Sequence, residues 1–237
     1  MLNKIALPVV ALVLGLSISN VNAAQHLGDI QPFKVDGQIY TNGDLFAADF
    51  GDLFGGLYRT NNPGFDADTD EGAFGAGNWL QLQGLGSLKF WDGSTWSNSV
   101  PNGEHVEIED ALGSIITFSA SGVTNPFGVI DELDASGDLH SHLKMSIKNA
   151  ANVLGGSVGA YWIELAIFET LAEGSTSVST ASAPFSIIFN RGLAEVDFDN
   201  AVSAVTAVPV PGAVWLFGSA LAGLVAAGRK RSIGVSV

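Results

Sequence analysis

The ten residues Leu139 to Lys148, LHSHLKMSIK, place Leu139, Ser141, Leu143, Met145 and Ile147 on one side and His140, His142, Lys144, Ser146 and Lys148 on the other. A period of two over that length is the signature of a half-buried β-strand, because successive side chains of an extended chain point to opposite faces. The pattern recurs. YWIELAIFE sets Tyr161, Ile163, Leu165 and Ile167 on one face, and APFSIIFN does the same with Phe185, Ile187 and Phe189. HVEIE contributes Val106 and Ile108, and GSIITFSAS contributes Ile116, Phe118 and Ala120. Turn dipeptides separate these runs: DG at Asp36 and Asp92, NG at Asn42 and Asn102, and NPG at Asn62. Short alternating runs with glycine-rich turns and no soluble helical pattern predict an all-β fold, a single antiparallel β-sandwich over residues 25–200. No fixed period repeats along the chain, which argues against a solenoid or propeller. The Ser/Thr-rich stretch Ser175 to Ser182 reads as a solvated loop between two strands.

Both ends of the chain are unlike this middle. Lys4 precedes the apolar run Ile5 to Leu16, and small and polar residues follow as far as Ala24. These are the three regions of a secretory signal peptide, so residues 1–24 are expected to be removed by signal peptidase. The apolar run, about 12 residues, is short of the roughly 20 that cross a bilayer. At the other end, residues 201–211 read as a linker ending in Val208, Pro209, Val210 and Pro211. Residues 212–228 then carry no charge, and as a helix they reach about 25 Å, enough for a thin hydrocarbon core. Arg229, Lys230 and Arg231 follow at once, opening a basic tail over residues 229–237, and the positive-inside rule keeps them cytoplasmic and the sandwich outside.

The segment VPVPGAVWLFGSALAGLVAAGRKR resembles the PEP-CTERM sorting signal of Gram-negative bacteria, in the form where Val or Leu replaces the usual Glu between the prolines. The resemblance covers about 25 residues and implies recognition by an exosortase-type membrane protease that removes the anchor. It departs from the pattern at Val210 and in the six residues that trail the basic cluster. In the middle of the chain, NPGFDA, LKFWDGSTWS, HSHLKMSI, GAYWIELAIFE and SAPFSIIFNRG are similar, in order, to a set of exported bacterial β-proteins, some zinc-repressed, that often end in such signals. That second resemblance implies a fold and an address, and no activity. The expected location is therefore the inner membrane before processing and the cell surface or extracellular matrix, including biofilm, afterwards.

All 24 acidic residues lie between the two ends against only six of the ten basic ones, so the exported part carries 18 more acids than bases. Such a surface repels nucleic-acid phosphates. The chain has no cysteine, so an apolar core rather than disulfides must hold the exported domain together.

Motifs for chemistry are sparse. GGSVG at Gly155 to Gly159 matches the G-x-S-x-G elbow of hydrolases in letters, but it leads into a strand rather than a helix and reads as a turn. Neither a phosphate loop nor an H-E-x-x-H signature occurs. With no catalytic residues to name, the chain is expected to be non-enzymatic and without a cofactor. Trp79, Trp91 and Trp96 offer faces on which polysaccharide could stack, or else belong to the core.

Two sets of residues support an alternative in which the protein binds extracellular zinc or calcium. DADTDEG places Asp66, Asp68 and Asp70 at alternate positions and resembles the start of a calcium loop, although the later glycine and glutamate of an EF-hand are missing. His140 and His142 share a strand face, as do His105 and Glu107. If their two strands were neighbours, imidazoles and carboxylates would converge on a borderline metal such as zinc.

Overall fold

A computed structural model describes residues 28–52, 56–172, 174 and 176–206. The expected signal peptide, the motif at Val208 to Pro211, the span over 212–228 and the basic tail from Arg229 lie outside the described residues. No helix among the described residues is long and apolar enough to cross a membrane.

The fold is all-β with two α-helices added among the described residues. Its first strands are β1 (Pro32–Val35), β2 (Gln38–Thr41), β3 (Leu45–Asp49), β4 (Arg59–Thr60) and β5 (Phe65–Asp66). A four-residue helix, α1 (Thr69–Gly72), precedes the long β6 (Trp79–Trp91) and the short β7 (Trp96–Ser97). Next come β8 (His105–Glu109), β9 (Ile115–Ser119), β10 (Gly122–Thr124), β11 (Phe127–Glu132), β12 (His140–Ser141) and β13 (Lys144–Lys148). The chain closes with β14 (Gly159–Thr170), β15 (Phe185–Arg191) and α2 (Glu195–Thr206).

Two larger sheets hold most of these strands, while β1 with β2 and β5 with β12 form two-stranded ribbons. One runs β11-β6-β14-β15-β3 with β7 on β6, and the other runs β10-β9-β8-β13-β4. Every pairing in them is antiparallel except β15 with β3. The apolar side of the alternation faces inward. Leu80, Leu82, Ile163, Leu165, Ile187 and Phe189 of the first sheet join Val106, Ile108, Ile116, Phe118, Met145 and Ile147 of the second in one hydrophobic cluster. Each fully buried side chain of this size stabilises the fold by about 1.5–3 kcal/mol relative to exposure. Gly84 marks a close approach, since a Cβ there would stand 2.9 Å from both Phe118 and Val123 across the core. Ala120, expected on the inner face of its strand, is exposed, because β9 ends at Ser119 and the chain turns.

Three features depart from the sequence expectation. The run Leu139 to Lys148 is two strands, not one: β12 pairs with β5 in a separate ribbon, whereas β13 pairs with β8 and β4. The alternation survives this break, with Leu139, Leu143, Met145 and Ile147 all buried. Second, a soluble helix exists, so residues 201–206 belong to folded structure rather than to a linker. Phe198, Ala201, Val202 and Val205 of α2 pack on Trp91, Ala160 and Ile188 at the outer face of the first sheet. Third, Trp91 is buried and Trp96 donates its indole N–H to the Ala201 carbonyl at 2.9 Å, so both belong to this packing rather than to a sugar-stacking surface.

Candidate metal centre

A small three-stranded arrangement at one corner brings chemistry together. Ile30 bridges Phe65 in parallel, and β5 pairs antiparallel with β12 so that Asp66 stands opposite His140. Backbone bonds lace the strands: Ile30 N–H to the Gly64 carbonyl at 3.0 Å, Asp66 N–H to Ile30 at 3.0 Å, and Ala67 N–H to Leu139 at 2.9 Å. Side chains carried on such paired backbone are held more precisely than side chains on a free loop.

On this frame Asp29, His140 and His142 offer one ligand atom each, all within 4.8 Å of one another. Asp29 is only 4% exposed. Its Oδ1 accepts from the Gly64 N–H at 2.9 Å, while its Oδ2 has no hydrogen-bond partner and lies 3.9 Å from His142 Nε2. A buried carboxylate oxygen without a donor is costly, by about 1–3 kcal/mol or more. His142 Nδ1 lies 2.8 Å from the Asn61 carbonyl. A carbonyl only accepts, so this contact puts a proton on Nδ1 and leaves Nε2 as the nitrogen that faces Asp29. The two imidazole rings meet edge to face with centroids 5.0 Å apart, and His140 Nδ1 is 3.3 Å from Asp66 Oδ1. Nearby, burial is the main influence raising the Asp138 carboxyl above its ordinary range, and the charges of Asp134 and Asp66 add to it.

The other metal candidates are not gathered here. β8 does neighbour β13, but their register sets His105 opposite Lys148 and Glu109 opposite Lys144. His105 is therefore at the far end of the pair from His142, about 20 Å along the strand direction at 3.3 Å per residue. Glu107 instead bonds Lys148 at 2.6 Å and lies 3.4 Å from His105, forming a charged ladder on the sheet's outer face. The calcium-loop expectation also fails in geometry. Asp68 caps α1 by accepting the Glu71 N–H at 3.3 Å, Asp70 is exposed in that helix, and only Asp66 turns toward the histidines. A short helix formed where a liganding loop was expected, because Asp68 has a free N–H within reach to cap.

Sequence reasoning missed Asp29, Asn61 and Gly64. Nothing local marks Asp29, which sits more than a hundred residues from its partners. The role of Gly64 as donor to Asp29 was also hidden, although the NPG turn signal fell on it.

The G-x-S-x-G match resolves into a structural network. Ser157 donates both its N–H and its hydroxyl to Glu104 Oε1, at 2.5 and 2.7 Å, and the Tyr161 hydroxyl donates to Glu104 Oε2. Burial, reinforced by the bond to Glu104, raises the Tyr161 hydroxyl well above its ordinary range, so it remains a neutral donor. The element immediately after Ser157 is strand β14, not the helix that a nucleophile elbow needs.

Comparison with known proteins finds no family model, no curated protein and no solved structure that matches this chain.

Proposed function

We propose that the chain is an exported, non-enzymatic β-sandwich protein of the cell surface that binds a borderline divalent metal, zinc foremost, through Asp29, His140 and His142. The observation that carries the metal reading is the buried Asp29 Oδ2, which has no donor and faces His142 Nε2 at 3.9 Å. A cation supplies the partner that this oxygen lacks. Two imidazoles with a carboxylate favour zinc over calcium, which prefers six to eight oxygen ligands. The two sheets packed on one apolar cluster support the sandwich description.

Export and sorting rest on the two ends of the sequence. The signal-peptide pattern supports export, and the likeness of residues 208–231 to PEP-CTERM signals supports processing by an exosortase-type enzyme. Polysaccharide remains a partner class of this reading, with Trp79 the one tryptophan of the original three outside the α2 packing.

Zinc titration of the full-length chain in detergent, against a chelating indicator, tests the metal reading. One equivalent should bind to the wild type, and His140→Ala and His142→Ala should each weaken binding at least tenfold. Equal binding by all three proteins would refute it. Sorting is tested separately by Pro209→Ala with Pro211→Ala in an exosortase-bearing host: the anchor should stay attached in the variant and be lost in the wild type.

A further inference from the structure

We infer that Asp66 is a positioning residue of this centre: its carboxylate holds the Nδ1 edge of His140, so that the ring presents Nε2 to the metal. The inference rests on the metal reading above and adds the group that aims one of its three ligands.

Asp66 Oδ1 stands 3.3 Å from His140 Nδ1, and the Asp66 side chain is only 17% exposed. Among the described residues that side chain makes no other hydrogen bond or ion pair, so its carboxylate serves His140 alone. The antiparallel register of β12 and β5 sets the two residues directly opposite each other, so the pairing is built into the backbone. Asp66 stays outside the ligand group, in which Asp29, His140 and His142 each bring one atom within 4.8 Å of the others. It therefore acts through His140 and not on the ion.

His142 has the same arrangement with a different acceptor. Its Nδ1 lies 2.8 Å from the Asn61 carbonyl, and its Nε2 faces Asp29. A metal-bound imidazole generally gives its other ring N–H to a carboxylate or a backbone carbonyl, which fixes the tautomer and ring angle and makes the ligating nitrogen more basic. This corner supplies one acceptor of each kind. A carboxylate only accepts, so the Asp66 contact calls for a proton on His140 Nδ1, and the lone pair that a metal requires is then on Nε2. At 3.3 Å the contact is slightly longer than a formed N–H···O bond of about 2.7–3.2 Å. His140 is the most exposed side chain of the cluster, at 40%, and its ring has room to close that gap as the ion draws it in.

Zinc affinity, the zinc X-ray absorption edge and nitrogen NMR of the full-length chain in detergent test this together. Asp66→Ala should still bind one equivalent, about 10–100-fold more weakly, with the number of directly bound atoms and the scattering of two imidazoles unchanged. Asp66→Asn keeps an oxygen acceptor without the charge and should recover part of the loss. In zinc-loaded wild type the His140 resonances should show Nε2 bound to metal and a protonated Nδ1 slow to exchange with water, and Asp66→Ala should make that exchange fast. Asp68→Ala, which removes only the α1 cap, should match wild type, and circular dichroism verifies that all variants keep their β spectrum. An Asp66→Ala variant with wild-type affinity, one that loses a directly bound oxygen, or coordination through His140 Nδ1 would overturn the assignment while leaving the three-ligand site standing. Wild type that takes up no zinc would refute the metal reading itself, and this inference with it.

Discussion

The ring of His142 occupies the space where a side chain on Gly64 would begin: a Cβ at Gly64 would stand 2.6–2.8 Å from three of its ring atoms. The imidazole is thereby pressed between the backbone of Gly64 and the Asn61 carbonyl, with Nε2 directed at Asp29. Gly64→Ala should therefore displace the ring without removing a ligand. The expected outcome is at least a tenfold loss of zinc affinity in a chelator competition, with the β dichroism spectrum kept. Unchanged affinity would mean that His142 is not held by this contact.

Glu104 is 3% exposed and accepts three hydrogen bonds, from Ser157 N–H, the Ser157 hydroxyl and the Tyr161 hydroxyl. Glu104→Ala leaves buried donors unmatched and should cost about 3 kcal/mol in denaturant unfolding. Ser157→Ala removes one of the three and should cost about 1 kcal/mol, with zinc affinity unaltered. A Ser157 variant less stable than the Glu104 variant would contradict this ordering.

Glu169 connects the β1–β2 hairpin to the end of β14 through Lys34 Nζ at 2.6 Å, Asn78 Nδ2 at 2.8 Å and the Gly75 N–H at 2.7 Å. Burial pushes its carboxyl upward, but the bonds from Lys34, Asn78 and Gly75 outweigh burial and hold it below the ordinary carboxylate range. A lowered folded pKa stabilises the fold above the unfolded pKa, and that stability disappears as pH falls through the folded value. Thermal melts should thus lose stability on acidification below about pH 4.5. Glu169→Gln should lower the melting temperature near neutrality and flatten that acid limb. A variant with an acid limb as steep as wild type would assign the loss to other carboxylates.

Helix α2 is held by Phe198 and Ala201 on the outer face of the first sheet, and by the Trp96 indole bonded to Ala201. Phe198→Ala should cost about 3 kcal/mol. Hydrogen exchange should rise in α2 ahead of the strands if the helix is a separable layer. Uniform exchange across α2 and β14 would show that it unfolds only with the whole domain.

The inward faces of β14, β15, β8 and β13 were legible because two-residue periodicity is a local signal, and every residue named for the core in those strands is buried. Helix α2 was missed although Phe198, Ala201, Val202 and Val205 follow helical spacing, because short strands and polar turns dominated the chain before it. At the metal centre the sequence exposed the histidines and Asp66. It paired the histidines with His105 and Glu107 and read Asp66 as part of a calcium loop, since adjacency of strands can be conjectured from alternation but register cannot. Asp29 was invisible for a different reason: a carboxylate becomes a ligand only when tertiary structure buries it next to imidazoles.

Zinc K-edge X-ray absorption on the full-length, zinc-loaded chain tests the central claim most directly. The account predicts a first shell of nitrogen and oxygen at about 2.0–2.1 Å with the outer-shell scattering of two imidazoles, lost in the double variant His140→Ala, His142→Ala. A zinc environment without imidazole scattering, or one that the double variant leaves unchanged, would contradict it.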